Sequence, residues 1–214
     1  MNIFKNSKPV IAIDGTAGSG KGKLAKKLAK KLKFDHLDTG LLYRIYAYET
    51  IQTEEKNVSE KNIAKWLKKK DEINILRTEE ISKIASLISQ KPQVRKLLVN
   101  FQRNFADNPP KAKGSVIDGR DIGTIIVPNA EVKFFIDAKV EIRASRRINQ
   151  LNLNSSEYDY TYENMKKRDA RDTDRKISPL MQASNSFKID TSDLDEDEVF
   201  KTAIEYIKKQ TDFI

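Results

Sequence analysis

Cysteine is absent from this chain of 214 residues, and histidine occurs once, at His36. The first absence excludes disulfides, thiolate metal sites and cysteine nucleophiles together. The second leaves a His-based metal centre or a Ser/His/Asp triad without its parts. Long apolar runs are missing too, so no segment approaches the length needed to cross a bilayer. Met1 to Lys8 is polar, broken by Asn2, Lys5, Asn6 and Ser7, and lacks the apolar centre of a secretory signal. The expected location is therefore cytoplasmic, with no membrane partner. No internal repeat or low-complexity linker interrupts the chain.

What is present suits one globular domain with appended lobes: 38% hydrophobic and 33% charged residues over a length that can bury a real core. The formal charge of +9 has two readings. A nucleic-acid binder clusters its cations on one adhesive face. An enzyme for polyanionic nucleotides places its arginines at a phosphate site. Here many lysines fall on solvated helix faces (Lys26, Lys27, Lys30, Lys31; Lys68 to Lys70), while arginines stand beside glycines and aspartates. That division favours the second reading, and no nucleic-acid partner is expected.

Apolar periodicity alternates between strand and helix. Pro9 to Asp14 is a short run of the kind found in parallel strands buried on both faces. Leu24, Ala25, Leu28, Ala29 and Leu32 then make one helical stripe. Further strands are expected at Phe34–Asp38, Ser115–Asp118, Val132–Asp137 and Ser186–Asp190. The middle of the chain is helical, with Thr78 as a cap and Pro92 in a first turn. Helices are also expected at about 139–151 and 160–173, and a last one runs from acid near Asp195 to Lys208 and Lys209. The expected architecture is α/β, a five-stranded parallel sheet flanked by helices.

Between the first strand and its helix lies Gly15-Thr-Ala-Gly-Ser-Gly-Lys21, which satisfies Gly-x-x-x-x-Gly-Lys. In that context the backbone N–H groups of Gly15, Thr16, Ala17, Gly18, Ser19 and Gly20 wrap around phosphates, and the helix adds its positive pole. Lys21 supplies a point charge. The loop is expected to bind a nucleoside triphosphate. The Ser or Thr that often follows the lysine, and helps to hold Mg2+, is Gly22 here.

Three more clusters bear on the acceptor. Leu37 to Arg44 places Thr39, Gly40 and Arg44 at the end of the second strand, the edge where ligands of open α/β sheets bind. Val116 to Thr124 puts Asp118, Arg120 and Asp121 at the end of the third. Arg168, Asp172 and Arg175 recur at three- and four-residue steps on one helix face. Each has a plainer reading taken alone: a capped turn, a turn with a salt bridge, a solvated ion-pair ladder. Their joint occurrence with a phosphate loop argues for guanidinium clamps on a phosphoryl acceptor.

With these motifs the chain resembles the bacterial cytidylate kinases, P-loop nucleoside monophosphate kinases, from Pro9 to about Asp190. The matching segments are Gly15 to Gly22, Leu37 to Arg44, Asp118 to Thr124 and Arg168 to Leu180. The resemblance implies transfer of a phosphoryl group from ATP, with Mg2+, to CMP or dCMP. It implies that Arg44, Arg120 and Arg175 grip phosphates with help from Thr39, and that Ser86, Arg95 and Asp121 read the cytosine edge. Arg168 and Asp172 would hold the sugar. Lys21, Arg120, Arg168 and Arg175 are thus the expected catalytic group. Arg146 and Arg147 precede a lid at about 151–160, with Arg147 assigned to ATP; the acceptor lobe would span 43–110 and the core 9–42 and 111–214. Asp118, or less well Asp14, would meet Mg2+ through water rather than directly. A monomer is the default for this resemblance.

Two departures stand out. Lys23 replaces the threonine usual after the glycine in that group, where a hydroxyl would meet the α-phosphate. The small antiparallel sheet that many relatives insert in the acceptor lobe is reduced to Lys69–Leu76. UMP or another small acceptor therefore remains an alternative, as does a basic nucleic-acid-binding protein with a regulatory phosphate loop. His36 is read as structural or merely exposed, and Trp66 as a core or lobe contact, with stacking on a base as its alternative.

Overall fold

The computed structural model describes residues 8–53, 58–69 and 72–214. Val10–Gly15 (β1), Asp35–Asp38 (β2), Ser115–Gly119 (β3), Val132–Asp137 (β4) and Phe187–Asp190 (β5) make one parallel sheet in the order β2-β3-β1-β4-β5. This is the architecture expected from the alternation of strands and helices.

Burial on both faces explains why β1 is apolar at successive positions. Val10 and Ala12 join one core with Leu42, Ile45, Leu98 and Ile117, whereas Ile11 and Ile13 join the other with Leu28, Phe134, Ile136 and Ile207. The period of two in a strand sends neighbours to opposite sides. Lys21–Leu32 (α1) and Glu196–Gln210 (α8) cover the second face. Asp195 and Glu198 form a reciprocal capping box at the start of α8, and Lys208 and Lys209 end it.

On the first face lie Thr39–Thr53 (α2), Glu60–Lys68 (α3) and Pro92–Asp107 (α5), and Glu79–Ile88 (α4) packs on α2 through Ile81, Ala85 and Ile88 against Ala47. Thr78 caps α4 by accepting from Ile81 N, and Pro92 opens α5. The stretch where a reduced insert is expected holds a 3-10 turn, Ile73–Arg77; Lys70 and Asp71 lie outside the described residues. Trp66 is buried, donates to Glu49 and packs edge-on against Tyr48 at 5.2 Å between ring centroids. It is a packing residue.

Val140–Leu151 (α6) and Tyr158–Asp174 (α7) form a hairpin. Ala144 and Met165 of this hairpin pack on Ala17 of the phosphate loop. The α7 helix starts two residues before the expected 160 and stops at Asp174. Arg175 is therefore not the third member of a helix face, a correction to the spacing argument: it caps the helix in an extended conformation, with φ −62° and ψ 137°. Among the described residues, no helix is long and apolar enough to cross a membrane.

Candidate active site

Parallel strands deliver their carboxyl ends to one edge, and β1, β3 and β2 deliver three of the motifs there. Asp14 pairs with Gly119 across β1 and β3, and Asp38 with Asp118 across β2 and β3. The resulting cleft, about 2000 Å3, is lined by residues from the phosphate loop, α2, α4, α5, β3 and the α6–α7 hairpin. Pockets for one ligand run to roughly 1000 Å3, so this cleft can take two nucleotides.

The loop from Gly15 to Gly22 is built without slack. At Gly15, φ is 150° and a Cβ would sit 1.9 Å from the carbonyl oxygen of Ile136, so only glycine fits. Gly20 caps α1 in the left-handed region at φ 90°. Thr16 Oγ1 donates to Asp137 Oδ1 at 2.9 Å and Ser19 Oγ to Thr16 O at 3.0 Å. Ala17, Gly18, Ser19, Gly20, Lys21, Gly22 and Lys23 line the cleft. Lys21 Nζ folds back to Thr16 O at 3.0 Å. Burial, with repulsion from Arg120 and Arg168, pushes the Lys21 ammonium down to about 7, against attraction from Asp118 and Asp38.

Lys23 points elsewhere. Its Nζ meets Glu196 Oε1 at 2.5 Å, and the side chain is 71% exposed. Asp14 also differs from its expected place near the ion: Oδ1 accepts Ile122 N at 2.8 Å and Oδ2 accepts Gly123 N at 2.7 Å. Both oxygens are spent on holding the turn that carries Asp121. Burial raises the Asp14 carboxyl to about 7 despite those two bonds.

Opposite the loop stands a group of guanidiniums. Arg44 Nε donates to Ser82 Oγ at 3.3 Å, and burial lowers its pKa with Arg77, Arg147 and Arg120 nearby. Arg120 Nε meets Asp172 Oδ2 at 2.9 Å, and Arg168 Nε lies 4.0 Å from the same oxygen. Arg168 is pushed down to about 10, by burial first and then by Arg120. Arg168 Nε and Arg175 Nη2 are buried without a hydrogen-bond partner. Orphaned buried donors on cations are costly, and a bound anion would satisfy them. Thr39 Oγ1 donates to Asp118 O at 2.8 Å, which fixes the hydroxyl at the cleft wall.

A second group of polar side chains lines the cleft. Asp121 Oδ2 accepts from Arg95 Nη2, and Asp121 Oδ1 lies 3.9 Å from Arg175 Nη2. Arg95 Nη1 also reaches Tyr43 Oη at 3.3 Å and Ser89 O at 3.4 Å, while Arg175 Nη1 reaches Ser89 Oγ at 3.4 Å. Ser86, on α4, is buried and lines the same cleft. The structure thus pairs Arg95 with Asp121 and places both, with Ser86, on the wall of the same cleft.

Comparison with known proteins decides the family. A family model described as cytidylate kinase matches residues 11–209. The chain belongs to the cytidylate kinase family. It is 42% identical over 201 residues to the cytidylate kinase of Paramagnetospirillum magneticum, covering 91% of this chain and 95% of that protein. It is 44% identical over 200 residues to the cytidylate kinase of Bartonella bacilliformis, covering 91% and 92%. Among solved structures, the shikimate kinase of Bacteroides thetaiotaomicron matches with a TM-score of 0.53 at 12% identity, covering 94% of this chain and 97% of that one. At such identity the likeness concerns the fold alone.

Several side chains of this family member escaped the sequence reading. Arg143 is buried on α6, and donates to Ala138 O at 2.7 Å, Ala17 O at 3.2 Å and Asp169 Oδ2 at 2.6 Å, bracing the phosphate loop against α7. Nothing in its local sequence separates it from its neighbours Arg146 and Arg147. Arg146 donates to Thr191 Oγ1 at 2.9 Å, and Thr191 donates to Ser19 O at 3.0 Å. Arg147 instead meets Glu79 Oε2 of α4 at 2.8 Å, at the cleft rim. Tyr43 and Ser89 were missed because hydroxyl residues in helices carry no positional signal of their own.

For a divalent ion, the described residues contain no cluster of three or more carboxylate or histidine ligands. Asp118 fits a lesser part. It is buried, its Oδ1 is held by His36 Nε2 at 2.7 Å, and its Oδ2 would be 3.6 Å from a Cβ at Gly22. His36 is thus neither idle nor exposed but a brace for that carboxylate.

Proposed function

We infer that the protein transfers the γ-phosphoryl group of ATP to CMP or dCMP, giving ADP and CDP or dCDP. The observation that carries this reading is the set of mutually repelling cations, Lys21, Arg44, Arg120 and Arg168, which line one cleft with the phosphate loop, Arg175 and the Arg95–Asp121 pair. Such a cluster costs free energy in the empty cleft and is offset when phosphates enter.

In this reading the phosphate loop and Lys21 hold the β- and γ-phosphates of ATP. Arg44, Arg120 and Arg175, with Thr39, hold the acceptor phosphate, and Arg168 with Asp172 holds the sugar. An acceptor oxygen attacks the γ-phosphorus, the bond to the β–γ bridging oxygen breaks, and ADP leaves. The acceptor phosphate is already ionised near neutral pH, so no general base is required. Catalysis is alignment plus charge neutralisation. Mg2+, when bound with ATP, would supply further positive charge to the transferring phosphate beside Lys21. Asp118 would approach its water shell.

Ser86, Arg95 and Asp121 suit cytosine, because a carboxylate accepts from the exocyclic amine and repels a carbonyl. The acceptor lobe runs from 43 to 110. The lid spans 151 to 160, where α6 ends, Asn152 takes φ 53° and a 3-10 turn covers Ser155–Glu157. Arg146 and Arg147 precede it on α6; for Arg147 to reach ATP, it would have to leave Glu79. Phosphorus NMR of a mixture of protein, Mg2+, ATP and CMP tests the chemistry. The expected result is ADP and CDP appearing in equal amounts; inorganic phosphate in place of CDP would contradict it.

A further inference from the structure

One hydrogen bond crosses from α7 to the base pocket without lining it. Arg171 Nη1 donates to Ser86 Oγ at 3.0 Å, and Ser86 is buried and faces the cleft. Arg171 is not among the cleft-lining residues, so it touches the pocket through Ser86. Asp121 and Arg95 share that pocket, and Asp121 is engaged by Arg95.

A serine hydroxyl is ambivalent, with one proton to donate and two lone pairs to accept with. A guanidinium N–H on the oxygen removes that ambivalence in two ways. It occupies a lone pair, which turns the O–H away from the cation and towards the open cleft. It also places a positive charge behind the oxygen, so an N–H donor arriving from the cleft meets a cation already in place. Ser86 then presents a hydrogen rather than a lone pair. The ring N3 of cytosine accepts such a hydrogen. The ring N3 of uracil carries its own hydrogen and does not.

We propose that Arg171 is a positioning residue for base selection, which polarises Ser86 into a donor and so favours cytosine over uracil nucleotides. The proposal rests on the cytidylate kinase reading above and extends it to a residue outside the cleft. Asp121 distinguishes the exocyclic amine of cytosine from the carbonyl of uracil. Ser86, held by Arg171, distinguishes the ring nitrogens. Two independent tests of one base edge multiply in selectivity, as they do wherever a polar pocket rejects a mismatched ring.

The test compares kcat/KM for CMP and for UMP in the wild type, Arg171→Met, Arg171→Lys, Ser86→Ala and the double variant Arg171→Met/Ser86→Ala. Arg171→Met is expected to lower the CMP:UMP ratio about tenfold, the size of one well-placed hydrogen bond, with KM for ATP unchanged. Arg171→Lys, which keeps a charged donor, should recover most of the ratio. In the Ser86→Ala background, Arg171→Met should alter the ratio no further. An equal loss with both acceptors, or the same further drop without Ser86, would overturn the proposal. Should Arg171→Met fail to fold, Arg171→Leu, which also lacks a donor, replaces it, and a wild-type ratio there would be equally fatal. A wild type that turns over no CMP would overturn the functional reading with it; a selective wild type whose ratio ignores Arg171 would overturn this inference alone.

Discussion

Asp172 and Arg120 meet at 2.9 Å between Oδ2 and Nε, joining α7 to the end of β3 across the floor of the cleft. Burial alone would raise the Asp172 carboxyl, but Arg120 and Arg168 outweigh it and hold it below 3.8. A depressed carboxylate contributes stability above its unfolded pKa and loses it as pH falls through the folded value. That contribution should therefore be complete above pH 3.8 and vanish in more acid solution.

Removing the carboxylate leaves two buried guanidiniums facing each other. Asp172→Ala should destabilise the empty protein by about 3 kcal/mol, the cost of breaking a buried pair. Inorganic phosphate should then raise the melting temperature of the variant more than that of the wild type. An equal effect of phosphate on both would show that Asp172 does not balance these cations.

Lys21 should take up a proton when triphosphate binds. Its pKa in the empty cleft is about 7, pushed down from 10.5 by burial, and phosphates alongside will raise it again. At pH 7 to 8 the binding enthalpy of Mg2+-ATP should thus depend on the ionisation enthalpy of the buffer. No buffer dependence would contradict the account. The sign for folding follows from the same values: the cost of housing the charge is complete below about pH 7 and is relieved between 7 and 10.5.

Asp14→Ala should unfold at lower urea concentration, by about 2–3 kcal/mol, because Ile122 and Gly123 would each lose the acceptor of a buried N–H. A metal role for Asp14 would instead leave stability intact and alter only the Mg2+ dependence of the rate.

Lys23→Ala should leave stability within about 0.5 kcal/mol, since the Lys23–Glu196 pair is exposed. The KM for ATP should also move little, because the ammonium is turned away to Glu196. A large rise in that KM would show that Lys23 swings onto the nucleotide.

The sheet was legible because its signals are local. A run buried on both faces, such as Val10 to Gly15, has no other home than a central parallel strand. The phosphate loop was legible for the same reason, since Gly15 to Lys21 carries its own geometry. On the acceptor side the arginine clusters were legible as motifs, but the base-reading residues only through family likeness: no spacing in the sequence joins Arg95 to Asp121. Contacts between distant segments were not legible. Arg143 to Asp169, Arg171 to Ser86 and Asp14 to the 122–123 backbone each join elements whose separation only packing determines. Arg175 shows the limit of periodicity: it shares the expected cleft, but from a helix cap rather than a helix face.

The central claim is that this cleft moves phosphate from ATP to a cytosine nucleotide. A coupled ADP-release assay with ATP and Mg2+, offering CMP, dCMP, UMP, AMP and dTMP in parallel, addresses it most directly. Rapid turnover with CMP and dCMP, and little with the other three, is the predicted result. Turnover of UMP equal to that of CMP would refute the base pocket, and no turnover with any acceptor would contradict the account as a whole.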